Sequence, residues 1–149
     1  MTAIETEALM HSEATKISTG DSFSYEFTFS QKDVDAFVAL SGDSNIIHND
    51  ATAAAESPIG KMAVPGILTA TIFSKVLGTM FPGHGTVYRS QNLDFRRPVL
   101  LGVRYVARFK VQEVVPQRHR ALIETTVAEE ASGEECLRGT AVVINFSRL

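Results

Sequence analysis

Phe23, Tyr25, Phe27 and Phe29 alternate strictly with polar residues, so the chain after Gly20-Asp21 enters a strand with one face buried. The period then changes. Ser30 and Asp33 supply an N-cap with an acid at the third helical position, and Val34, Phe37 and Val38 follow at i, i+3, i+4, predicting a short amphipathic helix over 31–41 that Gly42 ends. Asn49 or Asp50 can cap a second short helix over 51–55, broken by Ser57-Pro58-Ile59-Gly60. Pro65 suits the first turn of a longer helix from Gly66 to Met80, which is apolar or small almost all round, with Lys75 its lone charge. A helix without a polar face is normally buried. The remainder supplies the sheet to cover it: a strand over 86–95, alternation over 103–112, and further strands over 121–128 and 135–146. Turns at Pro116-Gln117 and Ala131-Ser132-Gly133 link the last three, making them antiparallel. The expected architecture is α+β, a single domain in which about five antiparallel strands wrap one long buried helix.

Composition narrows the class. A chain of 149 residues is one domain by length, long enough to bury roughly two-thirds of the surface it exposes unfolded. With 44% hydrophobic and 21% charged residues it reads as globular, and a net charge of −3 without a basic run argues against nucleic acid or a membrane surface as partner. Cys136 is the only cysteine, so neither a disulfide framework nor a zinc cluster can form. Residues 1–20 lack a basic-then-apolar leader pattern, and the chain has no run of 18 apolar residues. The expected location is cytoplasmic. Residues 1–19 read as a tail, either a short frayed helix or disordered, with the domain occupying 20–149.

The chemistry concentrates in Gly42-Asp43-Ser44-Asn45-Ile46-Ile47-His48, directly after the first helix. Asp43 and His48, five apart, would diverge by about 140° on one α-helix and could not share a substrate there. Gly42, Ser44 and Asn45 favour turns, so a loop that folds back is expected to bring the two side chains together. The bland alternative is a helix stop followed by a turn, with His48 satisfied locally. A metal held by His48, Asp43 and Asp50 lacks a fourth ligand nearby, and no metal or cofactor is expected. The free N–H groups and positive dipole end of the long helix would suit a developing oxyanion.

The run from Phe37 to His48, followed by Ala54, resembles the signature of the MaoC-like, (R)-specific enoyl-CoA hydratases (hydratase 2), whose fold is the hot dog. One defined position departs: the family's proline after the asparagine is Ile46 here. The resemblance extends from about Gly20 to the last strand. It implies that Asp43 and His48 hold a water and act as an acid–base pair on a 2-enoyl thioester, with Asn45 orienting the loop or the acid. It also matches Gly66, whose N–H would receive the thioester oxyanion, although the histidine before it is Pro65 here; close helix–sheet packing is the other reason for a glycine at that point. Thr71 matches a serine that faces the acyl thioester in relatives, or merely back-bonds to the helix. Phe95-Arg96-Arg97-Pro98-Val99 resembles the family's Phe-Lys-x-Pro-Val, and the two guanidinium groups suit the phosphates of coenzyme A or a phosphopantetheine arm, though exposed arginines often form only a solvated face. Val103 stands where the family usually has an aspartate.

The expected activity is therefore a hydro-lyase that interconverts a 2-enoyl thioester and an (R)-3-hydroxyacyl thioester by syn addition of water. The expected partners are an acyl thioester of coenzyme A or acyl carrier protein, and a second copy of the chain. Two alternatives remain. A hot-dog thioesterase would carry an acid on the long helix, and 66–80 contains none. A degenerate acyl-thioester binder is motivated by the departures at Ile46, Pro65 and Val103.

Overall fold

The computed structural model describes residues 15–149. The tail expected over residues 1–19, read as a short helix or disorder, lies outside the described residues as far as residue 14. Residues 15–19 carry no helix, and Ile17 is buried in the core with its N–H donating to the carbonyl of Arg148 at 2.8 Å. Chain anchored in this way belongs physically to the domain that follows it.

Strand β1, Ser22–Phe27, leads into helix α1, Gln31–Ser41. The helix begins where the polar signals put it. Ser30 accepts from the N–H of Asp33, and the Asp33 carboxylate accepts from the N–H of Ser30 at 2.8 Å, a complete reciprocal capping box. Gly42 ends the helix with φ 75°, a left-handed conformation that costs glycine little. Two short helices follow, α2 at Ile46–Asn49 and α3 at Ala51–Glu56, the latter capped by Asp50, whose Oδ1 accepts from Thr52 and Ala53.

The long helix α4, Gly66–Thr79, buries one stripe formed by Leu68, Thr69, Ile72, Phe73, Val76 and Leu77. Ile67, Thr71, Ser74 and Lys75 lie exposed on its other side, so the sheet covers one face rather than the whole helix. Thr71, Ser74 and Lys75 make most of that second face tolerable in water, and Ile67 is its exposed apolar residue. Phe73 meets Phe109 of the sheet edge-on, ring centroids 5.7 Å apart, fixing helix to sheet at the middle of the core.

The sheet has six antiparallel strands: β2 (Val87–Gln91), β3 (Asp94–Phe95), β4 (Tyr105–Val115), β5 (Arg120–Glu129) and β6 (Glu135–Ile144) join β1 in the order β1-β4-β5-β6-β2, with β3 also on β6. The single strand expected over 86–95 is thus two strands along the same neighbour. The break has a cause across the sheet. Asn92 accepts from Thr140 N–H through its side chain at 2.6 Å, and its backbone passes so close to Gly139 that any Cβ there would collide with the Asn92 carbonyl. Asp94 and Phe95 then resume pairing opposite Arg138 and Leu137.

Candidate active site

His48 is set by a capped helical turn and a backbone carbonyl. Asn45 caps α2, its Oδ1 accepting from Ile47 N–H at 3.3 Å, so part of the segment expected as a folded-back loop is one helical turn. The imidazole is 9% exposed, and its Nδ1 lies 2.5 Å from the carbonyl oxygen of Ala63. A carbonyl can only accept, so Nδ1 carries the proton; in the neutral ring, Nε2 then keeps its lone pair as a proton acceptor. Ala63 is itself held: its N–H donates to Ile47, it bridges to Leu100, and Val64 N–H donates to Val99.

His48 lines a cavity of about 350 Å³ between α2, the first turn of α4, β3 and the start of β6, at the lower end of the range for small-molecule sites, roughly 300–1,000 Å³. Gly66 lines it too. Thr69 N–H makes the first α-helical bond of α4, to Pro65, leaving the N–H groups of Gly66, Ile67 and Leu68 without an intrahelical acceptor. The glycine also has a packing reason: a Cβ on it would lie 2.8 Å from Cε1 of Phe95. Buried Thr69 and Cys136 complete the walls near His48, with Cys136 kept as a neutral thiol because burial pushes its pKa up.

Arg96 and Arg97 line the same cavity with side chains about half exposed, and neither guanidinium is free. Arg96 contacts Asp94 at 2.9 Å and Glu135 at 2.8 Å; Arg97 contacts Glu134 at 3.2 Å. Glu135 is shared with Arg138, whose hydrogen bonds hold its carboxyl below the ordinary range, with Arg96 adding to the effect.

The structure brings together His48, Gly66, Arg96 and Arg97, and leaves Asp43, Asn45 and Thr71 off the lining. Asp43 is exposed and accepts from Asn45 N–H through Oδ1; no hydrogen bond or ion pair joins it to His48. Thr71 is exposed and donates to Leu68 O at 2.6 Å, the back-bonding alternative. Sequence reasoning missed Thr69, Phe95, Cys136 and Ala63. Thr69 was within reach, since it falls in register with Ile72, Phe73 and Val76 at i+3, i+4 and i+7. Phe95 and Cys136 arrive only through the pairing of β3 with β6, which no local pattern encodes. Among the described residues, no cluster of three or more His, Cys, Asp or Glu could hold a metal ion, and no helix is long and apolar enough to cross a membrane.

A family model described as "MaoC like domain" matches residues 12–134. The chain belongs to the MaoC-like domain family. A 3-hydroxybutyryl-CoA dehydratase of Methylorubrum extorquens is 40% identical to this MaoC-like protein over 114 residues, 76% of this chain and 71% of the relative. An (R)-specific enoyl-CoA hydratase of Aeromonas caviae is 35% identical over 115 residues, 77% of this chain and 85% of the relative. In structure, the (R)-hydratase from A. caviae involved in PHA biosynthesis superposes with TM-score 0.83 at 32% identity, covering 87% of this chain and 97% of its own. The PhaJ1 R-hydratase of Pseudomonas aeruginosa does so with TM-score 0.81 at 32% identity, covering 87% and 82%. The fold is the hot dog.

Proposed function

We propose that this MaoC-like protein is a hydro-lyase that adds water to a 2-enoyl thioester, giving an (R)-3-hydroxyacyl thioester, and catalyses the reverse. The observation that carries the reading is His48: a buried imidazole whose Nδ1 proton is committed to Ala63 O, leaving Nε2 basic beside a cavity that also contains the free N–H end of α4. Water attacking C3 must lose a proton, and C2 must gain one on the same face for syn addition. The negative charge passes meanwhile to the thioester oxygen, which the Gly66 N–H and the helix dipole stabilise. His48 and Asp43 share the two proton transfers across a bridging water, with Asn45 holding the turn between them, whereas Thr71, back-bonded on the exposed face of α4, takes no part. Arg96 and Arg97 meet the phosphates of the carrier. The names of the relatives support the reaction class.

The active form is a homodimer. Strand β2 is an edge with Val87 53% and Tyr88 38% exposed, and Ile67 on the open face of α4 is 58% exposed. An unpaired edge that exposes apolar side chains such as Val87 is covered in a symmetric assembly by a second copy. Sedimentation should give a dimer at micromolar concentration, and a stable monomer would reject it.

The second reading is a binder that holds acyl thioesters without turning them over. The specific observation for it is Asp43, which turns its carboxylate to its own loop. Loss of enoyl-thioester absorbance with a short panel of coenzyme A and carrier-linked substrates separates the two. Binding without hydration would establish the binder; hydration with a chirally pure (R) product would establish the enzyme.

A further inference from the structure

The rim beside Arg97 is built from carboxylates. The β5–β6 hairpin carries Glu129, Glu130, Glu134 and Glu135 within seven residues, and Glu129, Glu134 and Arg97 all lie close enough to influence the Cys136 thiol in the cavity wall. Arg96, Arg97, Arg104 and Arg138 each lie within 3.4 Å of a carboxylate. The pairings differ in strength. Arg96 is tied to two acids and shares Glu135 with Arg138, whereas Arg97 has one partner, Glu134, at 3.2 Å, with both side chains about half exposed.

We propose that Glu134 determines which thioester carrier is accepted: it holds Arg97 in the free protein, yields it to a phosphate of coenzyme A, and with its hairpin neighbours repels an acidic carrier protein. The exchange is favourable because a phosphate group brings up to about two negative charges and more acceptor oxygens than the carboxylate it displaces. Displacing Glu134 loses little, since a half-exposed ion pair is weak. A coenzyme A thioester reaches Arg97 by displacing one carboxylate, Glu134, and lays no protein surface against the rest of the hairpin. A carrier protein must lay a whole surface on the rim, where every arginine is already neutralised and like charges meet. The inference takes its substrate class from the hydratase reading, but the exchange at Arg97 stands independently of turnover.

The test presents one short enoyl group on coenzyme A, on pantetheine and on an acidic acyl carrier protein, to the wild type and to Glu134→Gln. The substitution keeps the side chain's shape on an exposed hairpin. Wild type should prefer the coenzyme A thioester to the carrier-linked one by at least about tenfold in kcat/KM. Glu134→Gln should lower KM for the coenzyme A thioester by about two- to fivefold at unchanged kcat, leave the pantetheine thioester unaffected, and improve the carrier-linked substrate. Equal use of both carriers by the wild type, or an unchanged or raised KM in the variant, overturns the proposal. Calorimetric titration of free coenzyme A into both proteins reads the exchange without catalysis, with the same gain in affinity expected for Glu134→Gln and an unchanged affinity overturning it. Failure of all three thioesters to react, with coenzyme A still binding, overturns the hydratase reading instead.

Discussion

The buried wall of the cavity and its exposed rim are held by different physics. In the wall, His48 and Gly66 are fixed by backbone: a helical turn, a carbonyl from a β-bridged residue, and the first turn of a 14-residue helix. At the rim, Arg96 and Arg97 are fixed by ion pairs between side chains roughly half in water. Backbone-held groups cannot exchange partners without partial unfolding, whereas exposed ion pairs exchange for about 1 kcal/mol or less. The wall therefore suits proton transfer, where position sets the rate, and the rim suits recognition of a mobile, charged carrier.

The largest effect should come from the wall. His48→Gln removes the basic Nε2, and kcat for hydration should fall by about 10²–10⁴-fold, the usual worth of general acid–base catalysis. Asp43→Asn should match it if the two act as a unit, with the double variant scarcely worse than either. Steady-state rates on a short enoyl thioester measure all three. Near-normal hydration by Asp43→Asn would confine that residue to its turn, where its carboxylate already meets Asn45 N–H.

Gly66→Ala separates oxyanion binding from packing. The new Cβ would meet the Phe95 ring, and the displaced ring or helix should cost about tenfold or more in kcat, in keeping with the 10²–10³-fold worth of an oxyanion donor. Combining it with Phe95→Ala removes the clash. Recovery of most of the rate would show that the N–H still reaches the oxygen and that only the space was lost. No recovery would show that the backbone at position 66 no longer presents it.

A smaller change is expected at the rim. Arg97→Ala should raise KM for a coenzyme A thioester by several-fold and leave kcat alone, because a phosphate contact is made equally in ground and transition states. Arg96→Ala should raise KM less and cost stability, since it frees Asp94 and loosens Glu135. A fall in kcat for Arg97→Ala would erase the difference between wall and rim.

The sequence disclosed whichever parts of the molecule depend on near neighbours. Ser30 and Asp33 marked the start of α1 to the residue, Pro65-Gly66 marked α4, and alternation marked the long strands. His48 and Gly66 were legible because each sits at a helix terminus with local signals. What stayed hidden was set across the sheet: the break at Asn92 depends on Gly139, and Phe95 reaches the cavity by its register opposite Leu137. Asp43 shows a further limit. Five residues of spacing and two turn formers are compatible with facing His48, and equally with the local bond to Asn45 that the chain makes. The arginines were visible as charges, but apart from Asp94 their partners lie about 40 residues away, Glu135 at the start of β6 and Glu134 in the hairpin turn before it.

The smallest effect lies away from both wall and rim and serves as their control. Ser30 caps α1, the helix that leads into the Asp43–His48 segment, without touching the cavity. Ser30→Ala should destabilise the fold by about 1 kcal/mol, the usual value of an N-cap, with kcat unchanged. The bonds that Ser30 makes hold the Asp33 carboxyl below its ordinary range, its backbone N–H contributing most. A group whose pKa is lowered on folding stabilises the protein above its unfolded pKa and loses that contribution as pH falls through the folded value. The bonds that the Asp33 carboxylate accepts from Ser30, including the one from the hydroxyl that Ser30→Ala removes, should therefore hold at neutral pH and weaken in acid as Asp33 takes up its proton. Chemical denaturation of wild type and Ser30→Ala at pH 7 and in the acid range would show it as a stability gap that narrows with acid. A gap independent of pH would mean that the hydroxyl carries the cap without the carboxylate. A fall in kcat would mean that α1 is coupled to His48, and that the backbone-held wall is softer than its bonds suggest.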